Sequence, residues 1–170
     1  MNNTVRVLLA AAIAVSLAAC AKKVKEEPVE TVDRTETTET TPVETDGKYG
    51  PEDLDSDSCL RQRVVYFDFD RSDIRGEAQQ ILACHAKYLQ DRASAAVTLE
   101  GHADERGTRE YNLGLGERRG NAVSGALQAN GGSAGQISVV SYGEERPTCA
   151  DSDESCWQQN RRVEIVYTAK

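Results

Sequence analysis

The sequence predicts an α+β domain, a two-layer sandwich with helices packed on one face of a sheet. Two stretches of alternating or β-branched residues each lead into a stretch of helical periodicity, which makes two strand–helix units in succession. Two further β-rich runs follow towards the C-terminus, where they can close the sheet in a βαβαβ arrangement with a closing strand. Roughly 105 residues carry this pattern, enough for one modest core.

The elements follow in order. Arg63 to Phe69 is rich in Val, Tyr and Phe and is expected to form an inner strand. Ile74, Ala78, Ile81, Leu82, His85 and Leu89 recur at helical spacing and share one face, so His85 is expected to be a core histidine. Val97 to Gly101 alternates as a half-buried second strand. A second helix is expected from Asn112 to about Asn130, stopped by Gly131-Gly132. Ile137 to Tyr142 and Val163 to Tyr167 supply the remaining strands.

Chemistry concentrates between Gly101 and Gly120, GHADERGTREYNLGLGERRG, a charged turn joining the second strand to the second helix. Tyr111, Leu115, Arg119, Ala122, Val123 and Ala126 fall on one helical stripe, so Arg119 stands where a core residue is expected. A guanidinium there is costly unless an anion or carbonyl oxygens meet its planar fork of donors. Asp104, at the end of the strand, is a candidate to share that site. Together the two offer an anion and a cation to a zwitterionic amino-acid head, ammonium to Asp and carboxylate to Arg. The other reading of the same pair is a mutual salt bridge.

Other classes of function find little support. Residues 26–57 carry twelve acidic side chains against Arg34 and Lys48, whereas residues 58–170 are nearly neutral, so no basic face suggests nucleic acid. His102 with Asp104 and Glu105 superficially offers a metal ligand or an acid/base pair, but catalytic zinc takes three protein ligands and no third is evident. No Ser or Cys nucleophile with a partnered base appears, and His102 is read as a structural hydrogen-bonder at the strand end. The expectation is a binding module, not an enzyme, with no metal and no cofactor.

The N-terminus is a targeting segment. Arg6 precedes an apolar run, Val7 to Ala19, that is too short to span a bilayer comfortably. It ends Leu17-Ala18-Ala19-Cys20, which resembles a bacterial lipobox, so residues 1–19 are expected to be a lipoprotein signal peptide and Cys20 to carry diacylglycerol and an N-acyl chain. Each buried CH₂ adds roughly 0.8 kcal/mol, so such an anchor is effectively permanent. Ala21 rather than Asp after the lipidated position implies, by analogy with bacterial lipoproteins, the outer membrane with the domain facing the periplasm. Residues 20–57 are acidic and Thr-rich, with almost no large apolar residues, and are expected to be a disordered tether averaging about 35 Å end to end. The folded domain is then expected over residues 58–170.

With Cys20 claimed by lipid, Cys59, Cys84, Cys149 and Cys156 remain, an even set in an exported chain, where disulfides persist. Three connectivities are open. The preferred one joins Cys149 to Cys156 across a local acidic loop and Cys59 to Cys84 across the end of the tether and the first helix. The spacings do not match a zinc finger or ribbon.

The runs HADERGT, YN, GERR, NAV, VSYGEERP and NRR closely resemble the OmpA C-terminal-like family, and most of all its lipid-anchored members. The match covers roughly residues 64 to 168. It implies a peptidoglycan-binding domain in which the positions of Asp104 and Arg119 grip the diaminopimelate of the wall's stem peptide. Phe69 and Asp70 then help to line the groove beside Leu115. It also implies a Tol-Pal envelope system, with docking to the periplasmic TolB propeller through the HADERGT loop, for which Arg106, Arg109 and Glu110 are contact candidates. Within the closing motif one of Arg161 and Arg162 is expected towards the groove and the other towards solvent, with the assignment open. Gly120 stands where members of that family usually carry Ala, a loss of helix stability of up to about 1 kcal/mol.

Overall fold

The computed structural model describes residues 47–170. The expected signal peptide, Cys20 and the expected tether up to residue 46 lie outside the described residues.

The elements run α1 (Asp53–Ser56), β1 (Val64–Tyr66), α2 (Gly76–Asp91), β2 (Ala96–His102), α3 (Arg109–Ala129), a 3₁₀ turn (Ala134–Gln136), β3 (Ile137–Gly143), α4 (Glu154–Asn160) and β4 (Arg162–Ala169). The sheet order is β1-β4-β2-β3. β4 is antiparallel to both β1 and β2, whereas β2 and β3 are parallel and joined across α3. This is the expected two-layer α+β sandwich, but β1 lies at an edge rather than inside. Its few residues are too short to hold two neighbours, and the longer Arg162–Ala169 takes the inner place beside β2.

The core forms where apolar faces meet. Val97 and Leu99 of β2 and Val163 and Ile165 of β4 point to one side, because side chains alternate along a strand. Leu82, Ala86 and Leu89 of α2 and Val123 and Leu127 of α3 cover them. His85 is fully buried as expected; one ring nitrogen bonds Tyr167 Oη at 2.8 Å and the other the Gln62 carbonyl at 3.0 Å. Burial pushes its pKa down.

The folded unit reaches further towards the N-terminus than residue 58. Leu54 of α1 is wholly buried and packs in the same core as Leu60, while Arg63 donates to the Leu54 carbonyl and to Asp55. The acidic composition of 52–57 conceals this single apolar anchor. Cys59–Cys84 is formed, tying the segment after α1 to α2, and Cys149–Cys156 is formed beside α4.

The crossing of α3 over the sheet decides the site's shape. A Cβ on Gly101 would lie 2.0 Å from the Gly116 carbonyl oxygen, and one on Gly116 would lie 2.3 Å from Ser141 Oγ, so helix and strand backbones touch. Gly120 belongs to the same contact, since a Cβ there would meet Val139 Cγ1 at 2.5 Å. Its glycine is therefore a packing choice for a close helix–sheet approach.

Candidate functional site

Arg119 is the post around which the site is built. It projects from α3 into the domain and is wholly buried. Three main-chain carbonyls meet its guanidinium: Nε donates to Arg71 at 2.8 Å, Nη1 to His102 at 2.8 Å and Nη2 to Asp68 at 3.1 Å. A guanidinium carries five N–H donors, so one remains on each terminal nitrogen. Burial lowers its pKa to about 10, while the nearby Asp104 acts in the opposite direction. The mutual salt bridge with Asp104 does not form; carbonyls do the work, because the Asp68–Arg71 turn of the β1–α2 loop and the end of β2 both meet the guanidinium.

That wrapping places Phe69 and Asp70. The Arg71 amide donates to the Asp68 carbonyl at 3.2 Å, closing a turn in which Asp70 adopts φ of 57°, the left-handed region. An acidic residue tolerates this better than most, because its short side chain can bond locally. Phe69 stands at the apex, 54% exposed. Tyr111 Oη donates to Asp70 Oδ1, and this bond is the main reason the Tyr111 pKa is raised. Tyr111, 46% exposed, thus faces the site, as do Leu115 and Arg119 of its predicted stripe, while Val123 lies in the core.

Asp104 enters from the loop after β2. A register shift between Gly101 and His102, followed by the Ala103 amide donating to the Gly143 carbonyl at 2.8 Å, turns the chain towards α3. Asn112, buried, then ties the loop down by donating to the carbonyls of Asp104 and Arg106 and to Glu144. The Thr108 hydroxyl caps α3 by accepting from the Tyr111 amide at 3.2 Å. The Asp104 carboxylate meets two arginines: Oδ1 accepts from Arg106 N and Nε, and Oδ2 from Arg106 Nη2 at 2.7 Å and Arg161 Nη1 at 3.2 Å. Burial works to raise its pKa, and the bonds from Arg106 and Arg161 more than offset it, so the group is held below the ordinary carboxylate value.

The assignment of Arg161 and Arg162 is thereby decided, but neither faces solvent as expected, since Arg162 is buried too, against Glu164 and the Arg146 carbonyl. Arg161 turns inward to Asp104 and to the Phe67 carbonyl, whereas Arg162 lies on the other face of the sheet, paired with Glu164 at 2.6 Å. His102 lies on that other face too. Neither of its ring nitrogens has a hydrogen-bond partner among the described residues, so the expected structural bond is absent and its carbonyl, held by Arg119, is the useful group.

The five side chains expected at the site line one cavity of about 240 Å³: Phe69, Asp70, Asp104, Leu115 and Arg119. Arg106, Gly107, Tyr111 and Asn112 complete it. Arg106 lies between two aromatic faces, its guanidinium carbon 4.0 Å from the ring centres of both Phe69 and Trp157. Trp157 is not among the side chains expected at the site; α4, which carries it, begins in a segment whose acidic CADSDESC pattern reads as loop. Among the described residues no group of three or more His, Cys, Asp or Glu is placed to hold a metal ion. A cavity that joins carboxylates, a buried guanidinium and an aromatic wall can hold a small zwitterion by its two charged ends and its methylene chain.

The OmpA family model matches residues 66–161. A peptidoglycan-associated lipoprotein of Haemophilus influenzae is 41% identical over 167 residues, spanning 98% of this chain and 100% of that one. One of Pseudomonas aeruginosa is 50% identical over 113 residues, 66% of this chain and 67% of that one. The crystal structure of the peptidoglycan-associated lipoprotein from Burkholderia pseudomallei matches with a TM-score of 0.67 at 42% identity, covering 68% of this chain and 98% of that one. The C-terminal domain of Helicobacter pylori MotB, 22% identical with a TM-score of 0.53 over 62% of this chain and 84% of that one, shares the fold. Family model, full-length relatives and fold agree: the chain belongs to the OmpA family, among its peptidoglycan-associated lipoproteins.

Proposed function

We propose that this chain is a binding module that holds peptidoglycan non-covalently and, through lipid on Cys20, fastens the outer membrane to the wall. The observation that carries the reading is the cavity in which Asp70, Asp104 and Arg119 converge beside Phe69 and Leu115. The ligand is the diaminopimelate of a stem peptide, a side chain that ends in its own ammonium and carboxylate. Its carboxylate takes the two N–H donors left on the terminal nitrogens of Arg119, and its ammonium lies against Asp70 and Asp104, with the methylene chain on Leu115 and Phe69. No helix among the described residues is long and apolar enough to cross a membrane.

A partly solvated ion pair adds about 1 kcal/mol or less, and a bidentate Arg–carboxylate pair somewhat more, so one stem peptide is held loosely. Many tethered copies facing a polymer bind together, because a short flexible tether gives an effective concentration near millimolar. The Tol partnership belongs to the same reading: the loop from Asp104 to Thr108 borders the cavity, so a TolB propeller docked on it excludes the wall ligand. The second reading, a protein-interaction subunit without wall binding, draws on the engagement of Asp104 by two arginines.

The test is retention of the full chain on purified sacculi, beside Asp104→Ala and Arg119→Ala checked for folding by circular dichroism. Retention of the parent with loss in both variants supports the site. Equal retention of all three removes it, and no retention of any moves the reading to protein interaction.

A further inference from the structure

α4 is held to the domain by very little apolar packing. Of its seven residues only Cys156 and Asn160 are buried, and a helix this short has marginal stability of its own. Both buried residues tie it to one neighbouring segment. Cys156 is bonded to Cys149, while Asn160 accepts from the Thr148 and Cys149 amides at 2.8 and 3.1 Å and donates to the Cys149 carbonyl at 2.7 Å.

The exposed side of α4 nevertheless reaches the cavity wall. Trp157 stacks on Arg106 and donates through Nε1 to Glu105 at 3.0 Å. Glu154 accepts from Arg161 at 2.6 Å and stands 3.5 Å from Arg106. Gln158 accepts from Arg161 at 2.7 Å and donates to the Phe67 carbonyl at 3.3 Å. Arg106 and Arg161 are the two arginines on Asp104. The line of support therefore runs from the disulfide to α4, from α4 to Arg106 and Arg161, and from these to Asp104.

We propose that the Cys149–Cys156 disulfide is a positioning element of the ligand site, bracing α4 so that Trp157, Glu154 and Gln158 hold Arg106 and Arg161 in register with Asp104. The inference rests on the wall-binding reading for its ligand, but its geometry is independent of it. Cys59–Cys84, which joins the segment after α1 to α2, has no such line to the cavity and serves as the internal control.

The experiment compares the full chain with Cys149→Ala/Cys156→Ala, Cys59→Ala/Cys84→Ala and Trp157→Ala, measuring retention on sacculi and the indole N–H signal of Trp157, the chain's single tryptophan. The expected result is a folded Cys149→Ala/Cys156→Ala chain whose indole signal moves and whose retention falls at least tenfold. Cys59→Ala/Cys84→Ala keeps both, and Trp157→Ala reproduces the loss with the disulfide intact. In the Cys59→Ala/Cys84→Ala background, dithiothreitol passes two electrons and two protons to the remaining pair as it closes to its own cyclic disulfide, and retention falls reversibly.

Retention of Cys149→Ala/Cys156→Ala within twofold of the parent overturns the proposal, as does parental retention of Trp157→Ala. Should the first variant fail to fold, Trp157→Ala decides alone. Should the parent itself not be retained, the wall-binding reading fails separately. The positioning claim then stands if the indole signal moves in Cys149→Ala/Cys156→Ala but not in Cys59→Ala/Cys84→Ala, and falls if it does not.

Discussion

Asp104 and Arg161, 57 positions apart in the chain, meet inside the domain, with Arg161 Nη1 donating to Asp104 Oδ2 at 3.2 Å and both side chains almost sealed from solvent. Removing Arg161 strips the buried Asp104 carboxylate of one of its two counter-ions, leaving Arg106 alone, which is still more damaging than losing an exposed pair. Arg161→Ala is therefore expected to lower stability by about 3 kcal/mol. Urea unfolding at neutral pH measures it. Arg162→Ala, whose Glu164 partner is partly exposed, is expected to lower it less.

Arg119→Lys keeps the charge but replaces a planar fork by a single ammonium. The carbonyls of Arg71, His102 and Asp68 cannot all be met by that group in the same positions. Each unmet buried group costs about 1–3 kcal/mol, so a loss of about 2–4 kcal/mol is expected together with loss of wall retention. Thermal unfolding and sacculus binding of the variant check both halves, and a fully stable lysine variant would refute the role given to the carbonyls.

His102 predicts a pH dependence. Burial first, and then the charge of Arg162, lower its pKa to about 4. The unfolded chain, with the ordinary value near 6.5, binds the proton first as pH falls, so stability is full above that value and is lost between about 6.5 and 4. The loss is about 3 kcal/mol. His102→Gln should flatten this window in unfolding free energies measured at pH 7, 5 and 4. The Asp104 carboxylate, also held low, acts lower on the scale, its contribution vanishing as pH falls through its own depressed value.

The glycines of α3 divide by what surrounds them. Gly116→Ala drives a Cβ to 2.3 Å from Ser141 Oγ and 2.8 Å from the Gly101 carbonyl oxygen, and is expected to destabilise by about 1–3 kcal/mol. Gly125 has nothing within 4 Å of its Cβ position, so Gly125→Ala should stabilise by up to about 1 kcal/mol. Paired thermal melts would show opposite shifts in Tm.

The N-terminal limit of the domain is testable at Leu54. Its complete burial in the main core predicts a loss of about 2–5 kcal/mol for Leu54→Ala. A chain beginning at residue 58 should show a comparable deficit against one beginning at residue 47, read from the urea midpoint.

Pattern alone determined what depends on neighbours in the chain. The two strand–helix units, the buried His85 and the apolar faces of α2 and α3 were legible because a periodicity of two or of about 3.6 decides which side chains share a face. Arg119 stood out for the same reason, a guanidinium on an apolar stripe, and the HADERGT and NRR runs carried the family. Tertiary structure decided what depends on groups far apart. That Arg119 is satisfied by carbonyls of the β1–α2 loop and of the last residue of β2, rather than by Asp104, follows from how a loop and a strand end meet one helix. β1 became an edge strand because pairing length, not composition, ranks strands within a sheet. Arg161 rather than Arg162 faces Asp104 because β4 begins beside β1 with a given register, and a shift of one residue would exchange the two faces. Trp157 reached the site through a short helix that the local acidic composition hides and a disulfide holds. Hydrogen-bond partners and strand neighbours are chosen by closure of the whole chain, and no local window contains that information.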